Sequence, residues 1–278
     1  MKARSFVAVA ILLLASGAFV TSCGSEDKRQ VSDSSDKSGE GGAEAQEKNN
    51  SGDSGGGGVF PAARATATIK GHVVYDGKLP RRLKTPISGE AFCEKCYPDG
   101  APVSARYEID QATKGVRWCF VEVLGADTKW KFEPPKDKLK LDQVNCRYAP
   151  HALGIMTGQT LVITSSDPID HNVHFFGKNK PAWTNRIVHK GQLLKVVFKR
   201  PANEKYKCDI HGWMNAAVYV RSHTLYAVTD AKGSFTLPKL PAGAYEIKVV
   251  HEKWKKGETQ TVTIGDGETK DITLKIKK

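Results

Sequence analysis

The sequence predicts an all-β protein, with room for two small β domains of sandwich or barrel type after an apolar leader and a polar linker. Three observations point there. Short runs such as VRWCFVEVL, QTLVITSS, HNVHFF and QLLKVVFK have the length and composition of strands, and ATATIKGHVVY alternates apolar and polar residues with a strand's period of two. Gly, Pro, Asp and Asn punctuate many of the gaps, with Asp76-Gly77 a hairpin signal. No segment shows a long apolar stripe at helical spacing.

Residues 1–22 read as a secretory leader. Lys2 and Arg4 precede an apolar run from Phe6 to Leu14, which is shorter than the ~20 residues of a membrane span. The stretch Val20-Thr21-Ser22-Cys23 resembles the bacterial lipobox. That resemblance implies lipidation of Cys23 and an extracytoplasmic protein anchored to a membrane of the cell envelope; plain secretion with a free Cys23 is the alternative. Acyl chains anchor because each buried methylene contributes roughly 0.8 kcal/mol. Residues 23–58 are Gly, Ser and charged residues with almost nothing apolar, so they cannot offset their ordering entropy and are expected to form a disordered linker. Folded chain is expected from near Val59.

The net charge is +12, with lysines dense at 129–140 and 253–278. Outside the cytoplasm this disfavours nucleic acid as partner. It favours a membrane surface, an anionic envelope polymer or an acidic protein. Lysines that only solvate strand faces and discourage edge pairing are the plainer alternative.

Six cysteines are present: Cys23, Cys93, Cys96, Cys119, Cys146 and Cys208. In an oxidising compartment pairing is the default. With Cys23 lipidated five remain, and Cys208, beside His211 and Met214, is the natural unpaired one. The expected disulfides are Cys93–Cys146 and Cys96–Cys119, although spacing alone does not fix connectivity. CEKC as a redox pair or half a zinc site lacks a companion CxxC or HxxxH, and Tyr97 stands where a c-type haem site needs His.

The C-terminal stretch TDAKGSFTLPKLPAGAYEIKV resembles the carboxypeptidase regulatory-like (transthyretin-like) β-sandwich family, whose members carry TDxxGxFxLxxLPxGxYxIxV. That family opens with GxVxxDGxxP, and this chain has Gly71 to Pro80 in that pattern. The resemblance implies one sandwich split in two, at 62–133 and 223–278, with a second domain at 137–222; two independent sandwiches are the alternative.

Within 137–222, SSDPIDHNVHFF supplies His171 and His174, and KCDIHGWM supplies Cys208, His211 and Met214. Two imidazoles, a thiolate and a weak thioether form a blue-copper donor set. The soft thiolate and neutral imidazoles suit both copper oxidation states, and the weak thioether lets the geometry persist when one electron moves. The two stretches resemble a plastocyanin-type cupredoxin, a Greek-key β-sandwich. The resemblance implies one copper ion held by His171, Cys208, His211 and Met214. It puts His211 at the solvent edge and Asn172 near the sulfur, tying the two ligand loops together. Only Gly212 and Trp213 separate His211 from Met214, a shorter gap than plastocyanins usually have. That gap is similar to the binuclear copper sites of cytochrome oxidase and nitrous oxide reductase, but Glu204 stands where these need a second Cys. An ideal strand points His174 away from His171. His151, His189, His251 and Met156 read as structural.

No nucleophile–base set, phosphate loop or paired catalytic carboxylates is visible, so an enzyme is not expected. The expected function is one-electron transfer to an acidic redox partner, with Pro181 and Trp183 in a docking patch. A copper-delivery module and an envelope binding protein remain as alternatives.

Overall fold

The computed structural model describes residues 57–254 and 256–278. The leader 1–22, Cys23 and the linker as far as residue 56 lie outside the described residues. The linker's expected last residue, Gly58, is already structured, because Gly58–Val59 pair in parallel with Trp130–Lys131. No described helix is long and apolar enough to cross a membrane.

The chain is nearly all β, as the strand-like runs indicate. In chain order the principal elements are β1 (Thr68–Tyr75), the short helix α1 (Ala91–Lys95), β2 (Phe120–Val123), β3 (Leu139–Val144), β4 (Arg147–Ala149), β5 (Ala152–Met156) and β6 (Thr160–Ser165). There follow β7 (His171–Phe176), β8 (Asn185–Val188), β9 (Leu193–Val197), β10 (Ala202–Lys207) and β11 (Asn215–Arg221). The last are β12 (Tyr226–Val228), β13 (Ser234–Thr236), β14 (Gly243–Val250), β15 (Thr259–Ile264) and β16 (Thr269–Lys277).

Strands β3 to β11 make one sandwich, with sheets ordered β8-β7-β10-β11-β5 and β9-β6-β3-β4. Its core holds Leu141, Ile155, Leu161, Ile163, Val173 and Tyr206. Strands from either side in sequence make the other, ordered β12-β2-β14-β15 and, with the short strand Lys256–Gly257, β13-β1-β16. Here β1 and β16 run parallel from Thr68↔Thr269 to Tyr75↔Ile276.

The two sandwiches meet through a small aromatic cluster. Phe120 stacks on Tyr219 at 4.6 Å between centroids, and Tyr226 packs on Phe120. A Cβ at position 154 would lie 2.4 Å from the Tyr226 ring, so Gly154 is what lets the sheets approach. Polar pairs flank the cluster. Arg221 binds Glu122, and His151 Nε2 lies 2.5 Å from Glu252, which also meets Arg106 at 3.4 Å.

Between β1 and β2 the chain leaves its own sandwich. A neck is formed where Thr85 N–H donates to the Pro102 carbonyl and Ser104 N–H to that of Leu83, both at 2.8 Å. The excursion beyond it carries α1, and its Ile87 and Phe92 pack on the core of the other sandwich. The Cys93–Cys146 disulfide fastens it there, and Tyr97 donates to the Asn145 carbonyl at 2.7 Å. The expected second disulfide is absent. Cys96 and Cys119 are free, because Cys119 is sealed in the core of the split sandwich while Cys96 ends α1 beside the other one.

His251 is buried against Trp254 (ring centroids 4.4 Å), and its Nδ1 accepts from Lys253 N–H at 3.1 Å. Burial drives its pKa down to about 3, against the opposing pull of Glu252, and His151 and Arg106 nearby add to the depression. Burial also lowers His223. Both rings fold neutral, whereas the unfolded chain takes up their protons below about pH 6.5. Their contribution to stability is therefore complete above that pH and declines as the pH falls, that of His251 until about pH 3. Denaturant unfolding should show lower stability at pH 5 than at pH 7. His251→Asn, which keeps an acceptor for Lys253 N–H, should flatten that slope; an unchanged slope would remove His251 as its source.

Candidate metal centre

The strand period sets the ligands' directions. Along β10, Glu204 and Tyr206 face inward while Lys205 and Lys207 face out, so Cys208, the next residue, turns inward. At the start of β7, His171 is fully buried and His174 is partly exposed. The loop from Cys208 to Met214 folds back on itself: Cys208 N–H donates to the Met214 carbonyl at 3.1 Å, and Met214 N–H to that of His211 at 2.8 Å.

These constraints bring His171, Cys208 and His211 together, with ligand atoms within 4.8 Å of one another. His171 Nδ1 lies 2.9 Å from His211 Nδ1, and Cys208 Sγ lies 3.7 Å from His211 Nδ1. Two nitrogens at about 2.0 Å from one ion would stand roughly 3 Å apart, and a sulfur at about 2.3 Å slightly further from either. The donor set and its spacing thus fit a single thiophilic ion. Met214 is 1% exposed in the same core cluster as Cys208.

Backbone amides supply the sulfur's remaining contacts. Asn172 N–H reaches Cys208 Sγ at 3.5 Å and His211 N–H at 3.4 Å. The Asn172 side chain joins the two ligand segments, its Oδ1 accepting from Asp209 N–H at 2.5 Å and Ile210 N–H at 3.3 Å. Its Nδ2 donates to Asn185 Oδ1 at 2.6 Å and Asp209 Oδ2 at 2.9 Å.

Asp167 is the residue sequence reasoning passed over. Its Oδ2 lies 2.8 Å from His171 Nε2. Its only signal was its place in the quoted SSDPIDH, where an Asp before Pro reads as a turn residue. Burial alone would depress His171, but the hydrogen bonds to Asp167 and Cys208 outweigh it and raise the pKa to about 9. His211 is lowered, first by burial and then by the charge on His171. Burial would raise Asp167, yet His171 and two backbone amides hold it below the usual carboxylate range.

One expectation fails. His211 is 3% exposed rather than at the solvent edge. The Trp213 ring lies 5.2 Å from its ring, the Glu90 carboxylate acts on it from the excursion, and Ile87 and Phe92 pack on the surrounding core. The exposed parts of the loop are its neighbours Asp209, Ile210 and Gly212.

The other histidines stand apart from this group. His174 bonds Asp209 at 2.8 Å, and His189 bonds Asp170 at 2.6 Å. His151 bonds Glu252 and the Asn215 carbonyl. Met156 is buried in β5. Glu204 is structural, accepting from the backbone of Lys178 (2.9 Å) and Asn179 (3.0 Å). Pro181 and Trp183 line a groove of about 570 Å³ with Lys178, Lys180, Lys195 and Arg200. A second cleft, of about 280 Å³, runs beside Gly212 and includes Phe176, Lys205, Lys207 and Arg106.

The family model of the carboxypeptidase regulatory-like domain matches residues 212–277. No curated protein matches the chain. Among solved structures the chain is similar to a Cu-containing nitrite reductase (NirK) from Thermus scotoductus SA-01, at 20% identity and TM-score 0.28 over 32% of this chain; it spans only 23% of that one. It is similar to a purple cupredoxin from Nitrosopumilus maritimus, at 24% identity and TM-score 0.27, over 31% of this chain and 100% of that one. Amicyanin from Paracoccus versutus (Thiobacillus versutus) is 21% identical with TM-score 0.27, over 31% of this chain and 84% of that one.

Asn172→Ala removes the acceptor that holds two loop amides. It should cost about 1–3 kcal/mol of stability and speed hydrogen exchange at Asp209 and Ile210. Unchanged unfolding and exchange would mean that the loop holds itself.

Proposed function

We propose that this is a membrane-tethered extracytoplasmic protein that binds one copper ion through His171, Cys208, His211 and Met214 and transfers single electrons. The observation that carries the reading is the convergence of two imidazole Nδ1 atoms and one cysteine sulfur in a buried pocket. Copper, when bound, supplies the Cu(I)/Cu(II) couple. The chain supplies rigidity: the ligand loop is closed by its own backbone bonds and by Asn172, so the donors have little room to rearrange when charge changes. The covered pocket keeps water from the ligands.

With His211 covered, a partner reaches the site through the loop backbone. Ile210, 52% exposed, is two residues from Cys208, and the cleft beside Gly212 carries Lys205 and Lys207 around Phe176, while its Arg106 is paired with Glu252. An apolar contact flanked by two lysines suits an acidic redox partner and would give salt-sensitive association. Attachment through Cys23 would hold the domain at a membrane of the envelope.

Adding one equivalent of Cu(II) to the purified protein should give an intense thiolate-to-copper visible band, absent in Cys208→Ala. Well-folded protein without such a band would overturn the copper reading. Reversing charge at Lys205 and Lys207 should slow electron exchange with an acidic partner at low salt and leave the band in place. An unchanged rate would move docking elsewhere.

A further inference from the structure

We propose that Asp167 is the positioning residue of the metal centre, and that the Cys93–Cys146 disulfide acts on the metal by holding the turn that holds Asp167. The inference rests on the copper reading above.

Both oxygens of the buried Asp167 carboxylate are committed. Oδ1 accepts from Asn145 N–H at 2.7 Å; Oδ2 accepts from Cys146 N–H at 2.8 Å and faces His171 Nε2 at 2.8 Å. A carboxylate on one imidazole nitrogen keeps the proton there, leaves the other nitrogen's lone pair for the metal, and makes it more basic. In His171 that other atom is Nδ1, the one turned toward His211.

Asn145 and Cys146 form the two-residue turn between β3 and β4, with φ of 51° and 54°. Hairpin loops with both central residues left-handed favour Asn-Gly. Here the second position is Cys, whose Cβ disfavours the conformation. The bonds to Asp167 and the tether to Cys93 on α1 offset that strain. The same turn also touches the ligand loop, because Trp213 Nε1 donates to the Cys146 carbonyl at 3.0 Å. Excursion, turn, carboxylate and ligand therefore form one connected chain of contacts.

The test uses the full chain and three variants: Asp167→Asn, which keeps an acceptor oxygen and loses the charge; Cys93→Ser with Cys146→Ser, which removes the tether; and their combination. Asp167→Asn should weaken Cu(II) binding about 10- to 100-fold and raise the reduction potential, because a negative charge behind the imidazole favours Cu(II) over Cu(I). The tether variant should shift both in the same direction by less. The combination should be no worse than Asp167→Asn alone, since both act through one group. Unchanged affinity and potential in folded Asp167→Asn would overturn the role of Asp167; additive losses would overturn its link to the disulfide. A metal-free readout separates this from the copper reading. In the apo protein, nitrogen NMR should find His171 Nε2 protonated and slow exchange at the Asn145 and Cys146 amides, both lost in Asp167→Ala. Protein that binds no copper but shows these signals would refute the copper reading and leave the positioning contacts standing; an Nε2 without a proton would refute the positioning.

Discussion

An ionisable thiol and two imidazoles are held almost out of contact with water at one end of a β-sandwich, and each must keep a partner there, since an unpartnered buried polar group costs on the order of 1–3 kcal/mol. Much of the surrounding structure supplies those partners. Backbone amides from Asn172 and His211 reach the sulfur, Asp167 takes His171 Nε2, and the Asn172 side chain closes the ligand loop. The sheets provide direction: β7 and β10 are antiparallel neighbours, so one inward-facing row brings His171 and Cys208 to the same end. The pocket is thus a product of strand pairing first and of side-chain bonds second.

The all-β class could be read from strand period and turn composition, which are local signals, whereas the two-sandwich content and the gathering of His171, Cys208 and His211 came from short motifs that resemble known families. What could not be read depends on contacts distant in sequence. Asp167 lies in a stretch that reads as a turn, and nothing local says that Asn145 and Cys146 will aim their amides at it. Pairing Cys96 with Cys119 assumed that cysteines pair by default, yet the core of the split sandwich encloses Cys119. The burial of His211 comes in part from the excursion around α1, about 120 residues earlier in the chain.

The two sandwiches share a packed seam. Phe120, Tyr219 and Tyr226 interlock where Gly154 admits them, and Arg221–Glu122 and His151–Glu252 are largely shielded from water. His151 also touches the Asn215 carbonyl, one residue beyond Met214. The split sandwich therefore braces the ligand loop from below while its excursion covers it from above. That arrangement gives the split sandwich a mechanical relation to the candidate site, although none of the three clustered side chains belongs to it.

The parallel pairing of β1 with β16 imposes an order of assembly. Thr68 finds Thr269, so the split sandwich cannot close until nearly all of the described chain is available. Strands β3 to β11 are contiguous and can condense earlier, in keeping with the slower formation of pairings far apart in sequence. As the chain emerges from its N-terminal side, β1 and β2 wait with unsatisfied edges beside a finished neighbour. A Cys93–Cys146 bond formed at that stage would already hold their connecting segment against that neighbour.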